Sequence, residues 1–171
     1  MYSPARSTIS GYTLVEMLIT LAVITVLTAM AIPSLSKMVD SVRLNSTASI
    51  IKRQLMTAKT RAVTNPIFHC GVYVNGNAYP PYMKTFSDTN SNNVYDAGEK
   101  VYDSTALPVF ITMKVPGGSA AKKDSAIIFR GDGSAYNTDN RKNKIKLCMR
   151  RDTTKAKTIS VLAITGRIRL Q

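Results

Sequence analysis

Gly11-Tyr12-Thr13-Leu14-Val15-Glu16 opens an apolar run that continues to Ile32 without another charged residue. A helix over Tyr12 to Ile32 would be about 30 Å long, which matches the hydrocarbon thickness of a bilayer. Its leucines, isoleucines and valines contribute roughly −0.3 to −0.6 kcal/mol each to insertion, enough together to offset one carboxylate. An acidic residue at mid-membrane costs about 2.5 to 3.5 kcal/mol, so Glu16 is a candidate functional residue.

An ordinary secretory signal peptide is the competing reading, because Arg6 precedes the run and Ala29-Met30-Ala31 has the small residues of a cleavage site. Against it stand Glu16 inside the apolar segment, a run longer than the usual ~7 to 15 residues, and a helical pattern that continues beyond it. Arg6 would keep residues 1–11 on the cytoplasmic side.

From Ser34 the apolar residues thin but keep helical spacing, first as Leu35, Met38, Val39 and Val42, then as Leu44, Ala48, Ile51, Leu55, Ala58 and Ala62, with a slip of phase near residues 44–46. One helix from Tyr12 to about Val63 is expected, its first half in lipid or a filament core and its second half on a globular domain. Pro33 should kink or loosen it between the halves, and Asn65-Pro66 should end it. Strand-like runs follow at residues 67–74, 109–115, 126–129, 144–148 and 158–164, separated by turn residues at 75–77, Gly117-Gly118, 131–133 and Gly166. The fold class is α+β, a long N-terminal transmembrane and amphipathic helix packed on a mainly antiparallel β domain. The expected segments are 1–11, 12–33, 34–65 and 66–171.

Gly11 before an aromatic residue, Thr13-Leu14, Glu16 five positions after the glycine, and Pro33 closing the run resemble the leader of type IV pilins and type II secretion pseudopilins. Phe86 to Glu99, Ile128-Phe129 followed by Gly133, the Lys146-Leu147-Cys148 strand and Thr165 to Leu170 resemble the GspH/FimT branch of minor pilins and pseudopilins. The resemblance implies a structural subunit of a secretion pseudopilus or a pilus. A prepilin peptidase would cut after Gly11 and the new Tyr12 amine would be methylated. The protein would sit in the bacterial inner membrane as a single-pass precursor with a periplasmic domain, then join other pilins in a helical filament. In such filaments Glu16 is taken to meet the N-terminal amine of a neighbouring subunit, a pairing that makes a carboxylate tolerable at low dielectric. The alternative is a Glu16 that merely snorkels to the interface.

Three further constellations stand out. Asp88, Asn90, Asn92, Val94 (through its carbonyl), Asp96 and Glu99 fall at positions 1, 3, 5, 7, 9 and 12 of a calcium loop of the EF-hand type, with Asn93 where that loop has glycine. No helical pattern flanks the loop, and a metal-free Asn-rich turn explains the same residues. Cys70 and Cys148 are the only cysteines, and in a periplasmic domain they would either pair or remain two small buried side chains. The net charge is +13, and residues 141–169 hold ten basic residues against Asp152 alone. Lys144, Lys146, Arg150, Arg151, Arg167 and Arg169 could form a surface for DNA, and Gly166-Arg167-Ile168-Arg169 resembles the Gly-Arg-x-Arg element of DNA-binding FimT-type pilins. A solvated basic face is the plain alternative.

Enzymatic readings have little to rest on. The single histidine, His69, has no zinc spacing around it, there is no Gly-x-Ser-x-Gly elbow, and residues 117–122 lack phosphate-loop spacing. No small-molecule substrate is implied. A free periplasmic binding module, released by ordinary signal peptidase, is the alternative from another class.

Overall fold

The computed structural model describes residues 11–114, 124–136 and 143–171. Residues 1–10 of the expected leader, Val115, the segment 117–122, Arg141 and Lys142 lie outside them. Helix α1 spans Leu14–Thr64 and is continuous through residue 33. The amide of Asn65 still donates to the Arg61 carbonyl at 2.9 Å. Pro66 has no amide to offer and disfavours the α conformation at the residue before it, so the helix stops there. The chain divides into two compact units between Asp40 and Ser41.

In the second unit, Leu44, Ala48, Ile51, Leu55, Ala58 and Ala62 are all buried. Their alternating spacing of four and three residues makes one stripe on one helix face. The phase slip in the sequence marks where this stripe begins: Leu35, Met38 and Val42, on the earlier stripe, are exposed. Polar side chains flanking the stripe tie the helix to the domain. Gln54 Nε2 donates to Asp103 Oδ2 at 3.0 Å and to Thr105 Oγ1. Lys59 Nζ donates to the Thr165 carbonyl at 2.8 Å. The guanidinium of Arg61 lies 4.4 Å from the Tyr102 ring centre and that of Arg43 5.0 Å from Phe110.

Nine strands follow, β1 (His69–Asn75), β2 (Tyr82–Asp88), β3 (Val101–Ala106), β4 (Ile111–Lys114), β5 (Asp124–Phe129), β6 (Ala135–Tyr136), β7 (Lys144–Met149), β8 (Ala156–Val161) and β9 (Ile168–Leu170), counted among the described residues. They form a five-stranded sheet in the order β3-β2-β1-β5-β6 and a four-stranded sheet in the order β4-β7-β8-β9, with antiparallel pairing throughout. Val72, Val74, Met83, Ile127 and Phe129 of the first sheet join Ile111, Met113, Ile145, Leu147, Ile159 and Val161 of the second and the helix stripe in one core. Strands β1, β4, β5, β7 and β8 coincide with the apolar runs seen in the sequence. The other four do not. β3 is an edge strand whose residues are nearly all exposed, and β2 carries Lys84, Thr85 and Ser87 among its apolar positions; neither shows a clean alternation of period two.

The first sheet also has a small second core on its other face. Gly71 pairs with Phe86 on one side and Ile128 on the other, and a Cβ on Gly71 would come within 2.8 Å of both side chains. Phe86 and Ile128 thus occupy the space left by the missing side chain. Tyr95 covers this patch, its ring 5.0 Å from Phe86 in an edge-on arrangement and 4.7 Å from Tyr73.

The cysteines do not pair in this structure. Both are buried free thiols, Cys70 on β1 in the first sheet and Cys148 on β7 in the second. Burial pushes the Cys70 thiol up to about 11, against a smaller opposing effect from the Arg61 charge.

Two outcomes follow for the domain. Gly166 has φ +56, and a Cβ there would lie 2.1 Å from the Gly133 carbonyl oxygen, so Gly166→Ala should lower unfolding free energy by about 1 to 3 kcal/mol. Gly98→Ala, which meets nothing within 4 Å, should be close to neutral; denaturant melts of the two variants measure the difference. At pH 8 only about one Cys70 in a thousand is thiolate, so native alkylation should be slow, should quicken about tenfold per pH unit, and should reach both cysteines at once in denaturant without reductant. Failure to alkylate under those denaturing conditions would mean that the two cysteines are bridged.

Candidate functional site

Gly11, Tyr12 and Thr13 precede α1 and are exposed, Tyr12 by 76%. Both residues that flank the Gly11–Tyr12 peptide bond are thus exposed. Thr13 caps the helix: its Oγ1 accepts the amide of Glu16 at 3.2 Å. Thr13-x-x-Glu16 is the spacing of a capping box, and a carboxylate in the first turn is favoured by the positive end of the helix dipole. This capping role of Thr13 was readable from the Thr-x-x-Glu spacing, and the assembly reading of Glu16 passed over it.

From Leu14 to Ile32 every large apolar side chain is at least half exposed. The helix holds an 18-residue window with a mean hydropathy of 2.3, none of it covered by protein, and is long and apolar enough to cross a membrane. Its hydroxyls are already satisfied within the helix, Thr20 donating to the Met17 carbonyl, Thr25 to Leu21 and Thr28 to Ile24 at 2.6 to 2.9 Å. A segment whose polar groups are bonded internally can leave water at little cost, whereas each exposed Leu, Ile or Val would gain about 1.5 to 3 kcal/mol on full burial.

The second constellation is the loop from Asp88, the last residue of β2, to Glu99. Asp88 is fully buried; its Oδ2 accepts the Asn93 amide at 2.9 Å and lies 3.9 Å from His69 Nδ1 across the β1–β2 pair. Asn90 Oδ1 accepts from the Asn92 amide and Asn92 Oδ1 from the Val94 amide. The two Nδ2 groups converge on Asp96 Oδ2 at 2.9 and 2.6 Å, and these bonds hold the Asp96 carboxyl below its ordinary range. Glu99 Oε2 accepts the Asp96 amide at 2.9 Å. Desolvation first, then the charges of Asp88 and Asp96, push the Glu99 carboxyl up, against hydrogen bonds that lower it. Ser91 and Asn93 have φ +56 and +62. Among the described residues no three His, Cys, Asp or Glu side chains stand at metal-holding spacing.

The third is the outer face of the second sheet. Register places Lys144, Ser160 and Arg169 in one row across β7, β8 and β9. The next row sets Lys146 directly opposite Lys114 on one side and Thr158 on the other. Lys144 and Arg169, with Ser160, Val161, Leu162 and Gln171, line a cleft of about 280 Å³. Arg167 lies just before β9, its carbonyl accepting the Leu162 amide at 3.0 Å, and Arg169 lies within the strand. Arg150 is instead stacked 4.9 Å from the Tyr79 ring centre, and Arg151 follows β7 at an exposed bend. The sequence reading missed Lys114, which strand pairing alone brings to this face.

Comparisons with known proteins agree with the first constellation and with the fold. The prokaryotic N-terminal methylation motif matches residues 6–32. No curated protein matches the chain. Two crystal forms of the type IV minor pilin FimU from Pseudomonas aeruginosa PAO1 share its fold, each with a TM-score of 0.50 at 16% sequence identity. The match covers 75% of this chain and 87% or 92% of theirs. With its methylation motif at the head of a long apolar helix and two antiparallel sheets behind it, this chain carries the N-terminal signal of the prokaryotic methylation motif and shares the fold of a type IV minor pilin.

Proposed function

We propose that the protein is a structural subunit of a pilin filament, held in the inner membrane by α1 before assembly. The carrying observation is the uncovered apolar stretch Leu14 to Ile32 that begins directly after the motif's exposed Gly11–Tyr12 bond. Prepilin peptidase cuts that bond, the Tyr12 amine is methylated, and the periplasmic domain stays attached to a helix whose apolar surface then packs against other pilins. Glu16 stands one turn from the new amine end and receives the amine of a neighbouring subunit. An incoming subunit lacking either charge would bring an unpaired ion into a dry helix bundle, so the pair selects correctly processed partners. A type IV pilus is favoured by the fold shared with FimU, and a type II secretion pseudopilus is the alternative setting.

The mature protein should begin with N-methylated Tyr12 in mass spectrometry; a start at Ile32 would instead make it a released periplasmic module. Glu16→Ala should be inserted and cleaved at the same bond yet be depleted from sheared filaments, and normal incorporation would remove the role given to Glu16.

A second reading, DNA capture by the basic face, is favoured by one observation. Lys114 and Lys146 stand directly opposite each other, an arrangement that costs stability in a sheet unless an anion lies over it. The Lys144–Ser160–Arg169 row spans about 10 Å over two strand spacings, and phosphates placed along these rows would be recognised without regard to base sequence. In gel shifts at low salt, Lys144→Gln/Arg169→Gln should weaken duplex binding by the detergent-solubilised protein more than Arg150→Gln/Arg151→Gln does. The log-log salt slope should fall by about 0.9 for each phosphate that the variant no longer neutralises. Equal binding by both variants would reject this face as a DNA site.

A further inference from the structure

The loop Asp88–Glu99 leaves particular oxygens without partners. Asp88 is fully buried, and its Oδ1 has no hydrogen-bond partner. Its other oxygen is held by the amide of Asn93 at mid-loop, which turns the carboxylate toward the inside of the loop. Glu99 Oε1 and Asn93 Oδ1 are likewise buried without a partner. A buried carboxylate oxygen with nothing to accept is among the more costly defects a fold can carry, and here two of them close the two ends of one twelve-residue loop. Asp88 and Asp96 both act electrostatically on Glu99, and among the described residues the nearest basic side chain to Asp88, His69, stands 3.9 Å from its other oxygen.

The backbone has the matching form. Asp88 and Glu99 occupy positions 1 and 12 of an EF-hand-type loop, and position 6, where the sharp turn calls for a left-handed residue, is Asn93 at φ +62. Asparagine tolerates this conformation better than other residues with a Cβ. Tyr95, packed on Phe86 and Tyr73, pins the loop to the first sheet and supplies the support that flanking helices give in EF-hands.

We infer that this loop binds one calcium ion. Asp88 Oδ1 and Glu99 Oε1 supply the two end ligands, and Asn90, Asn92, the Val94 carbonyl and Asp96 complete an all-oxygen set. Six or more oxygens on a flexible loop suit calcium better than magnesium, which demands a strict octahedron. The ion replaces the two amide-to-Asp96 hydrogen bonds, so that Asn90 and Asn92 turn Oδ1 inward in place of Nδ2. Among the described residues the three acidic side chains do not stand at metal-holding spacing without the ion, so binding also draws Asp88, Asp96 and Glu99 closer together. With three carboxylates the dissociation constant should be on the order of 10⁻⁴ to 10⁻³ M, the range of extracellular modules.

The test uses the full chain in detergent, stripped with chelator, titrated with calcium chloride by calorimetry and with terbium chloride by luminescence excited through tyrosine. Tyr95, next to the Val94 ligand, should sensitise terbium, and calcium should quench that emission by displacement. Glu99→Gln should weaken calcium about tenfold or more by removing ligand charge. Asn90→Ala, at an exposed position outside the core, should weaken it as well. Absence of both heat and sensitised emission in the wild-type protein would overturn the inference. Wild-type affinity in both variants would also overturn it, by placing the ion elsewhere.

Discussion

Six side chains on one face of α1, Leu44, Ala48, Ile51, Leu55, Ala58 and Ala62, close the core formed by the two sheets. Three of them are alanines, which let the helix backbone approach the sheets closely while the larger residues fill the space between. Neither sheet can bury its inner face without that stripe. The polar bonds from Gln54 to β3 and from Lys59 to the turn before β9 then fix the helix in rotation and along its axis. Rotating the stripe would take the buried Gln54 amide away from its partners on β3, so packing and hydrogen bonding select the same register.

The same helix meets the opposite condition earlier in its length. Its large side chains from Leu14 to Ile32 are apolar on all faces and exposed, with no cover among the described residues. An amphipathic stripe of period 3.6 belongs to a helix with one dry side, and a helix apolar all round belongs to one with no wet side. α1 changes from the second kind to the first near residue 44, and the compact units divide a few residues earlier, between 40 and 41. The internal hydroxyl bonds of Thr20, Thr25 and Thr28 serve the first condition, while the capped end at Thr13 and Glu16 places the one charge where the helix dipole accepts it.

Away from the main core, the small cluster of Phe86, Ile128 and Tyr95 around Gly71 explains why a polar, Asn-rich loop has a defined shape. The loop has few apolar residues of its own and takes its position from Tyr95 on the sheet and from the bonds that Asp88, Asn90 and Asn92 make to its backbone. The basic face of the second sheet is built differently, by register alone. Lys114, Lys144, Lys146 and Arg169 are spread over 56 residues of sequence and meet only because β4, β7, β8 and β9 are neighbours.

The sequence by itself determined whatever rests on local pattern. The apolar run after Gly11, the helix to Thr64, its end before Pro66 and five apolar strands were legible because period and punctuation act over neighbouring residues. The twelve-residue register from Asp88 to Glu99 was legible for the same reason. Strands β2, β3, β6 and β9 were not, since short, polar or edge strands are defined by the backbone bonds of a partner that local pattern does not reveal. Only the tertiary structure decided which groups meet: Cys70 and Cys148 set in different sheets, Arg150 stacked on Tyr79 while Lys114 joins the basic face, and two orphaned carboxylate oxygens at the ends of one loop. Each of these depends on which strands lie side by side, and strand neighbours are chosen by burial of the whole core, which no single segment of the chain contains.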